Sequence, residues 1–150
     1  MTTYDVHFQP VQRSNAMSAK AFTFGYASSL KVTGFQALVN RWVKTFLTPR
    51  GSDLLHPNEG TDFSNVIRSN APAGSTSDVH DIVVIAIEDA NDQVRAQDMQ
   101  GMYSDEESLQ EAKIVGFQAS TVGDGVDIWV DIRNLAGTDL IIRLAELGTR

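Results

Sequence analysis

From Val126 to Arg133 the chain alternates without a break, with Val126, Ile128, Val130 and Ile132 on one side and Asp127, Trp129, Asp131 and Arg133 on the other. A period of two residues fits a strand and no helix, and it gives that strand one oily and one mostly polar face. The flanking sequence reads the same way. Lys113 to Ala119 predicts one strand, Gly123-Asp124-Gly125 a turn, and Leu140 to Leu147 a further strand beyond the turn residues 134–138. The C-terminal third is therefore expected to be an antiparallel three-strand meander. In its last strand Leu140, Ile142 and Leu144 are expected to face the core. Ile141 and Ala145 are left as an outer apolar strip, with Arg143 its only charge.

Upstream the period changes to that of helices. Phe35, Leu38, Val39, Trp42, Val43, Phe46 and Leu47 fall at steps of three and four, one apolar stripe on a single helix face. Thr33 and Gln36 match a capping box at its start, Asn40, Arg41 and Lys44 lie off the stripe and are expected to meet water, and Thr48-Pro49 ends it. An irregular loop follows through Gly51-Ser52 and residues 56–60. Asp62 is placed to cap a short segment carrying Phe63, Val66 and Ile67, and residues 69–76 are rich in turn formers. Ser77 or Asp78 is expected to cap a second helix carrying Val79, Ile82, Val83, Ala86 and Ala90 and ending near Ala90. Its β-branched stretch taken alone would suit a buried strand, but the capping and the flanking acids favour a helix. Residues 97–111, with Asp98, Asp105, Glu106, Glu107 and Glu111 around Gly101, read as a solvated, mobile acidic loop. Residues 1–32 read as an extended arm, with Phe22, Phe24 and Tyr26 at every second position. The fold class expected is α+β: an N-terminal arm, two main helices and the meander.

At 150 residues this is expected to be one domain, and with no cysteine its stability must come from packing rather than disulfides. A formal charge of −7 is the wrong sign for neutralising phosphates or anionic lipid, so neither nucleic acid nor membrane is an expected partner. The longest apolar run, Ile82 to Ile87, is far short of the ~20 residues of a membrane-spanning helix, and the polar N-terminus lacks a signal-peptide core. Synthesis in the cytoplasm is the expectation.

Candidate chemistry is sparse. His7, His56 and His80 are scattered without a second ligand at metal spacing, so no metal or cofactor is expected. Asp127 and Asp131 share a strand face and could form a carboxylate pair, although acids alternating with an oily face usually make a solvated surface. Gly123-Asp124-Gly125 lacks the rest of a calcium loop, and no nucleophile elbow or phosphate-binding glycine loop is present. Catalytic residues are therefore not assigned.

The stretch from Phe35 to Ile67 resembles the small baseplate wedge, or sheath-initiator, family of contractile-tailed phages, also labelled lysozyme-like. The resemblance is carried by an amphipathic helix followed by a loop in which Thr48, Gly51, Pro57, Gly60 and Phe63 occupy the family's positions. The later order of elements agrees over about residues 33–147. Two departures stand out. Where the family has Glu-Pro-Arg and an aliphatic residue, this chain has Asn91, Asp92, Gln93 and Val94, and it carries the acidic stretch before the first strand as an insertion. The resemblance implies a non-enzymatic part of the virion tail baseplate, in six copies around the tail axis, assembled in the host cytoplasm. Its implied partners are other wedge and hub proteins and the tail sheath protein. The C-terminal strand, Leu140, Ile141, Ile142, Arg143 and Leu144, would recruit a sheath strand. The alternative implied by the label is a small hydrolase of cell-wall glycan, for which Glu59 is the one acid within the loop motif.

Overall fold

The computed structural model describes residues 6–7, 23–24, 32–63, 76–119 and 126–147. Two short strands, β1 (Val6–His7) and β2 (Thr23–Phe24), pair antiparallel. Helices α1 (Phe35–Leu47) and α2 (Thr76–Gln100) are followed by β3 (Leu109–Ala119), β4 (Val126–Asn134) and β5 (Asp139–Leu147). The fold is α+β, and the three long strands form an antiparallel sheet in the order β3-β4-β5. The rest of the expected arm, the segment around Val66 and Ile67, and the Gly123–Gly125 turn lie outside the described residues.

The alternation in β4 appears directly as burial: Val126, Ile128, Val130, Ile132 and Asn134 are buried and the residues between them half-buried. The buried face meets α2, which packs on β3, and α1, which packs on α2 and touches β4. The α1 stripe supplies the centre of this core through Leu38, Val39, Trp42, Val43 and Phe46, with Phe35 and Leu47 at its border. From α2 come Val83, Ala86, Ile87, Ala90 and Val94. The β-branched run of α2 is thus helical, because its apolar positions recur on one face that the sheet covers.

The register carries three irregularities. Ile114 faces Val130 and Gly116 faces Trp129, so Val115 is an extra residue on β3, and Gln110 is another between Leu109 and Glu111. The Val115 bulge turns Gly116 to the outer face, where the Trp129 ring lies so close that a Cβ on Gly116 would sit 3.0 Å from it. The third irregularity is in β5 between Leu144 and Leu147, leaving 139–144 in regular register.

The expected capping box is not formed. Gly34, at φ +66°, is the N-cap of α1, and no side chain caps the helix. Gly34 N–H instead donates to Glu107 Oε1 at 2.8 Å, while the Gln36 amide donates to Asn40 on its own helix. Thr33 falls one residue before the N-cap, and the acceptor that does meet the helix start comes from 73 residues away, where no local pattern can reveal it.

Residues 97–111 are not all loop, although 102–106 are exposed as expected. Helix α2 runs to Gln100, ten residues beyond Ala90, and β3 begins at Leu109. The turn between them is stitched down. Asp98 accepts from Leu109 N–H at 2.8 Å and pairs with Arg41, whose guanidinium also donates to Glu107 O at 2.6 Å and lies 3.9 Å over the Tyr103 ring. Leu135 N–H donates to Ser108 O and the buried Asn134 amide to Glu106 O, tying the turn to the β4–β5 connection. Arg41, expected in water, is therefore largely covered, and Asn40 is half-buried; Lys44 is exposed as expected. Helix α2 begins at Thr76, which puts Ser77 and Asp78 inside its first turn.

Replacing Asp98 with alanine takes the acceptor from both Arg41 and Leu109 N–H. A loss of about 2–3 kcal/mol in urea unfolding is expected, with faster exchange of the Leu109 amide. Asp92→Ala, on an exposed position of the same helix, should stay within about 0.5 kcal/mol.

Candidate functional site

Two features could meet another molecule: the loop after α1 and the free edge of the sheet. The loop is built on its two ends. Thr61 N–H donates to Thr48 O at 2.9 Å and Arg50 N–H to Thr61 O at 3.0 Å, so Pro49 and Thr61 form a short parallel bridge. The Thr48 hydroxyl donates to Lys44 O, closing the last turn of α1, and the buried Thr61 hydroxyl donates to Phe46 O at 2.7 Å. Phe63 then enters the core beside Phe46, their ring centres 4.8 Å apart.

Gly60 is the position that only glycine can fill. Its φ is +94°, and a Cβ there would stand 2.3 Å from Thr48 O. Its N–H donates to Gln93 Oε1 at 2.7 Å and its carbonyl accepts from Gln93 Nε2 at 2.8 Å, so one side chain from α2 holds both backbone groups. Arg50 adds an ion pair to Asp89 of α2. Of the five loop-motif residues, Thr48, Gly60 and Phe63 thus hold the loop closed, whereas Gly51 and Pro57 lie exposed along it.

Asn91, Asp92, Gln93 and Val94 are mid-helix. Asn91 is buried; its Oδ1 accepts from Trp42 Nε1 at 2.8 Å and its Nδ2 donates to Ala112 O at 2.8 Å, linking α1, α2 and β3. Asp92 is exposed, Gln93 clamps Gly60 and Val94 is buried in the core. Neither link was legible in the sequence, since the partners of Asn91 and Gln93 lie 21–49 residues away.

At the outer end of the loop, Asp53, His56 and Glu59 come together, each offering an atom within 4.8 Å of the others, and all stand in the open part of the loop. The Leu55 N–H bond to Asp53 Oδ1 holds that carboxyl below its ordinary value, with help from His56. A shallow pocket of about 240 Å³ lies beside it, lined by Arg41, Lys44, Asp53, Glu59 and Gln97 among others. Glu59 thus stands among polar groups. His80 sits apart, edge-on to Phe117 at 5.6 Å. His7 has no described side chain.

The outer face of the sheet is less open than the alternation implies. Asp127 is not a free surface acid but accepts from Arg143 at 2.6 Å, and Asp131, on the same face, is half-buried with one oxygen lacking a hydrogen-bond partner. Arg143 leans over the sheet toward Asp127 and the Trp129 ring, 5.4 Å away.

Strand β5 has β4 on one side and, among the described residues, no strand on the other. Ile142 and Leu144 are buried, Leu140 borders the core, and Ile141, Arg143 and Ala145 face outward, as expected. Thr138 O accepts from Asn134 N–H, so Thr138 faces β4. Backbone direction alternates along a strand, which turns the amides of Ile141 and Arg143 away from β4, toward the free edge.

Comparison with models of known protein families, with curated proteins and with solved structures finds no match for the chain.

Gly60→Ala must move the Thr48 carbonyl and is expected to cost at least about 2 kcal/mol. At Gly51, where φ is also positive but no atom lies within 4 Å of the added carbon, alanine should cost about 1 kcal/mol. Asn91→Ala strands the Trp42 indole N–H and the Ala112 carbonyl in the core, for an expected loss of about 2–4 kcal/mol. Urea melts of the three variants check all these values.

Proposed function

We propose that the chain is a non-enzymatic structural component of a contractile tail baseplate, organising the wedge around the tube and initiating the sheath by accepting a strand on β5. Other wedge and hub proteins and the tail sheath protein are its proposed partners, with six copies around the tail axis. The single observation that carries the strand-addition step is the contrast between the two sheet edges. The β3 edge is broken by bulges at Gln110 and Val115, and the Gln110 carbonyl accepts from Arg95. Bulges and covered carbonyls are the devices that keep an edge from pairing. The β5 edge is regular from Asp139 to Leu144; Asp139 is exposed at its start, and the outward charge in its middle, Arg143, is drawn over the sheet by Asp127. An incoming strand there would gain backbone hydrogen bonds worth about 0.5–1.5 kcal/mol each, a useful sum when repeated around a ring.

Proline at Ile141 removes an outward amide while sparing the ladder to β4; proline at Leu140 breaks that ladder. Baseplates carrying Ile141→Pro are expected to contain a folded chain, judged by its thermal melt, yet to recruit no sheath, while Leu140→Pro should lower the melt itself. Normal sheath growth on folded Ile141→Pro baseplates would sink strand addition, and absence of the chain from purified tails would sink the baseplate reading altogether.

A further inference from the structure

Leu54 and Leu55 stand side by side at the outer end of the loop after α1, 93% and 85% exposed. Single apolar residues on a surface are ordinary, but two adjacent leucines this bare on a shaped loop are not. The shape is fixed from below. Asp53 Oδ1 accepts from Leu55 N–H at 2.9 Å and from His56 N–H at 3.4 Å, and Glu59 N–H donates to His56 O at 3.0 Å. Beneath these, the Thr48–Thr61 bonds and the Gln93 clamp on Gly60 close the loop base. Docking would therefore order little additional backbone, which removes one of the main costs of association.

We propose that Leu54 and Leu55 form a docking knob for a different protein, one that offers an apolar cleft with a rim of lysine or arginine. The rim follows from charge. The knob is flanked by the exposed acids Asp53 and Glu59, with Asp62 further along; of the basic groups nearby, Arg50 is paired with Asp89 and Asp62 and His56 lies 3.5 Å from Asp53, while Lys44 lines the pocket beside the acids. Acids beside an apolar anchor favour a cationic surround on the partner and steer its approach. The same acids, on a chain of net charge −7, set two copies of the knob against one another and against an anionic lipid surface. The knob does not rest on the baseplate reading, since it is built from loop geometry on the helix side of the fold and makes no use of β5.

The test uses the full chain with a photo-crosslinking phenylalanine analogue in place of Leu54, irradiated in the cells that naturally make it. The cross-linked peptide is sequenced, and the protein that supplies it is purified and titrated against the chain. The knob predicts a peptide with apolar residues flanked by lysine or arginine. It also predicts binding that falls about tenfold or more in Leu54→Ser and in Leu55→Ser, and that weakens as salt rises from about 50 to about 500 mM. Both serine variants should keep the parent melting temperature, because neither side chain is packed. Cross-links to a second copy of the chain, flotation with phosphatidylglycerol vesicles that the serine variants lose, titrations indifferent to the substitutions, or no cross-link at all would each overturn the proposal.

Discussion

The arrangement turns on the side chain of Asn91. Among the described residues it is the polar group placed where both helices and the sheet meet, and it uses acceptor and donor at once, on the Trp42 indole and the Ala112 carbonyl. Hydrophobic burial is non-directional and would tolerate α1 sliding along α2. Two buried hydrogen bonds do not, because any shift leaves a donor or an acceptor unpaired in a dry interior. Trp42, fixed by that bond, stacks on Phe46 at 5.3 Å, and Phe46 receives Phe63 from the end of the loop. The orientation of the core aromatics and the return path of the loop therefore follow from one amide.

Helix α2 repeats this use of polar side chains along its C-terminal half. Asp89 reaches Arg50, Gln93 reaches Gly60, Arg95 reaches the Gln110 carbonyl, and Asp98 reaches Arg41 and Leu109. The apolar periodicity fades after Val94, yet the helix continues to Gln100 because these tethers replace it. The same tethers divide the surface by purpose: some stiffen the loop that carries Leu54 and Leu55, and one covers part of the β3 edge. Among the described residues no strand or side-chain tether covers the β5 edge, which is why it is the proposed place for a strand from outside.

What was legible in the sequence is what short-range pattern controls. The alternation from Val126, the α1 stripe and its stop at Thr48-Pro49, and the three-strand order of the meander all depend on neighbours within a few residues. The outward turn of Ile141 and Arg143 follows from the same parity. The illegible part was set by partners far along the chain. Thr33 and Gln36 make an acceptable capping box by themselves, but Glu107 takes the amide of Gly34. The acids from Asp98 to Glu107 look like a solvated run until Arg41, Leu109 and Gly34 are brought to Asp98 and Glu107, and then those two are joints while Asp105 and Glu106 stay exposed. For the loop, a glycine at position 60 was visible, but nothing near it announced that Gln93 would hold it.

A proline within positions 91–93 would have stopped α2 early, and this chain has none there. Glu-Pro-Arg at positions 91–93 would set a proline at position 92, eight residues before the end of α2, where its ring and missing N–H break a helix. With Asp92 there, the helix passes through and runs on for two further turns. Those added turns carry Arg95 and Asp98, whose bonds to Gln110, Arg41 and Leu109 need the segment between helix and strand to fold back against α1. A helix of this length must be followed by a return to the sheet, and the acidic residues 101–108 are that return. Asn91 and Gln93 point inward to the core and to the loop base.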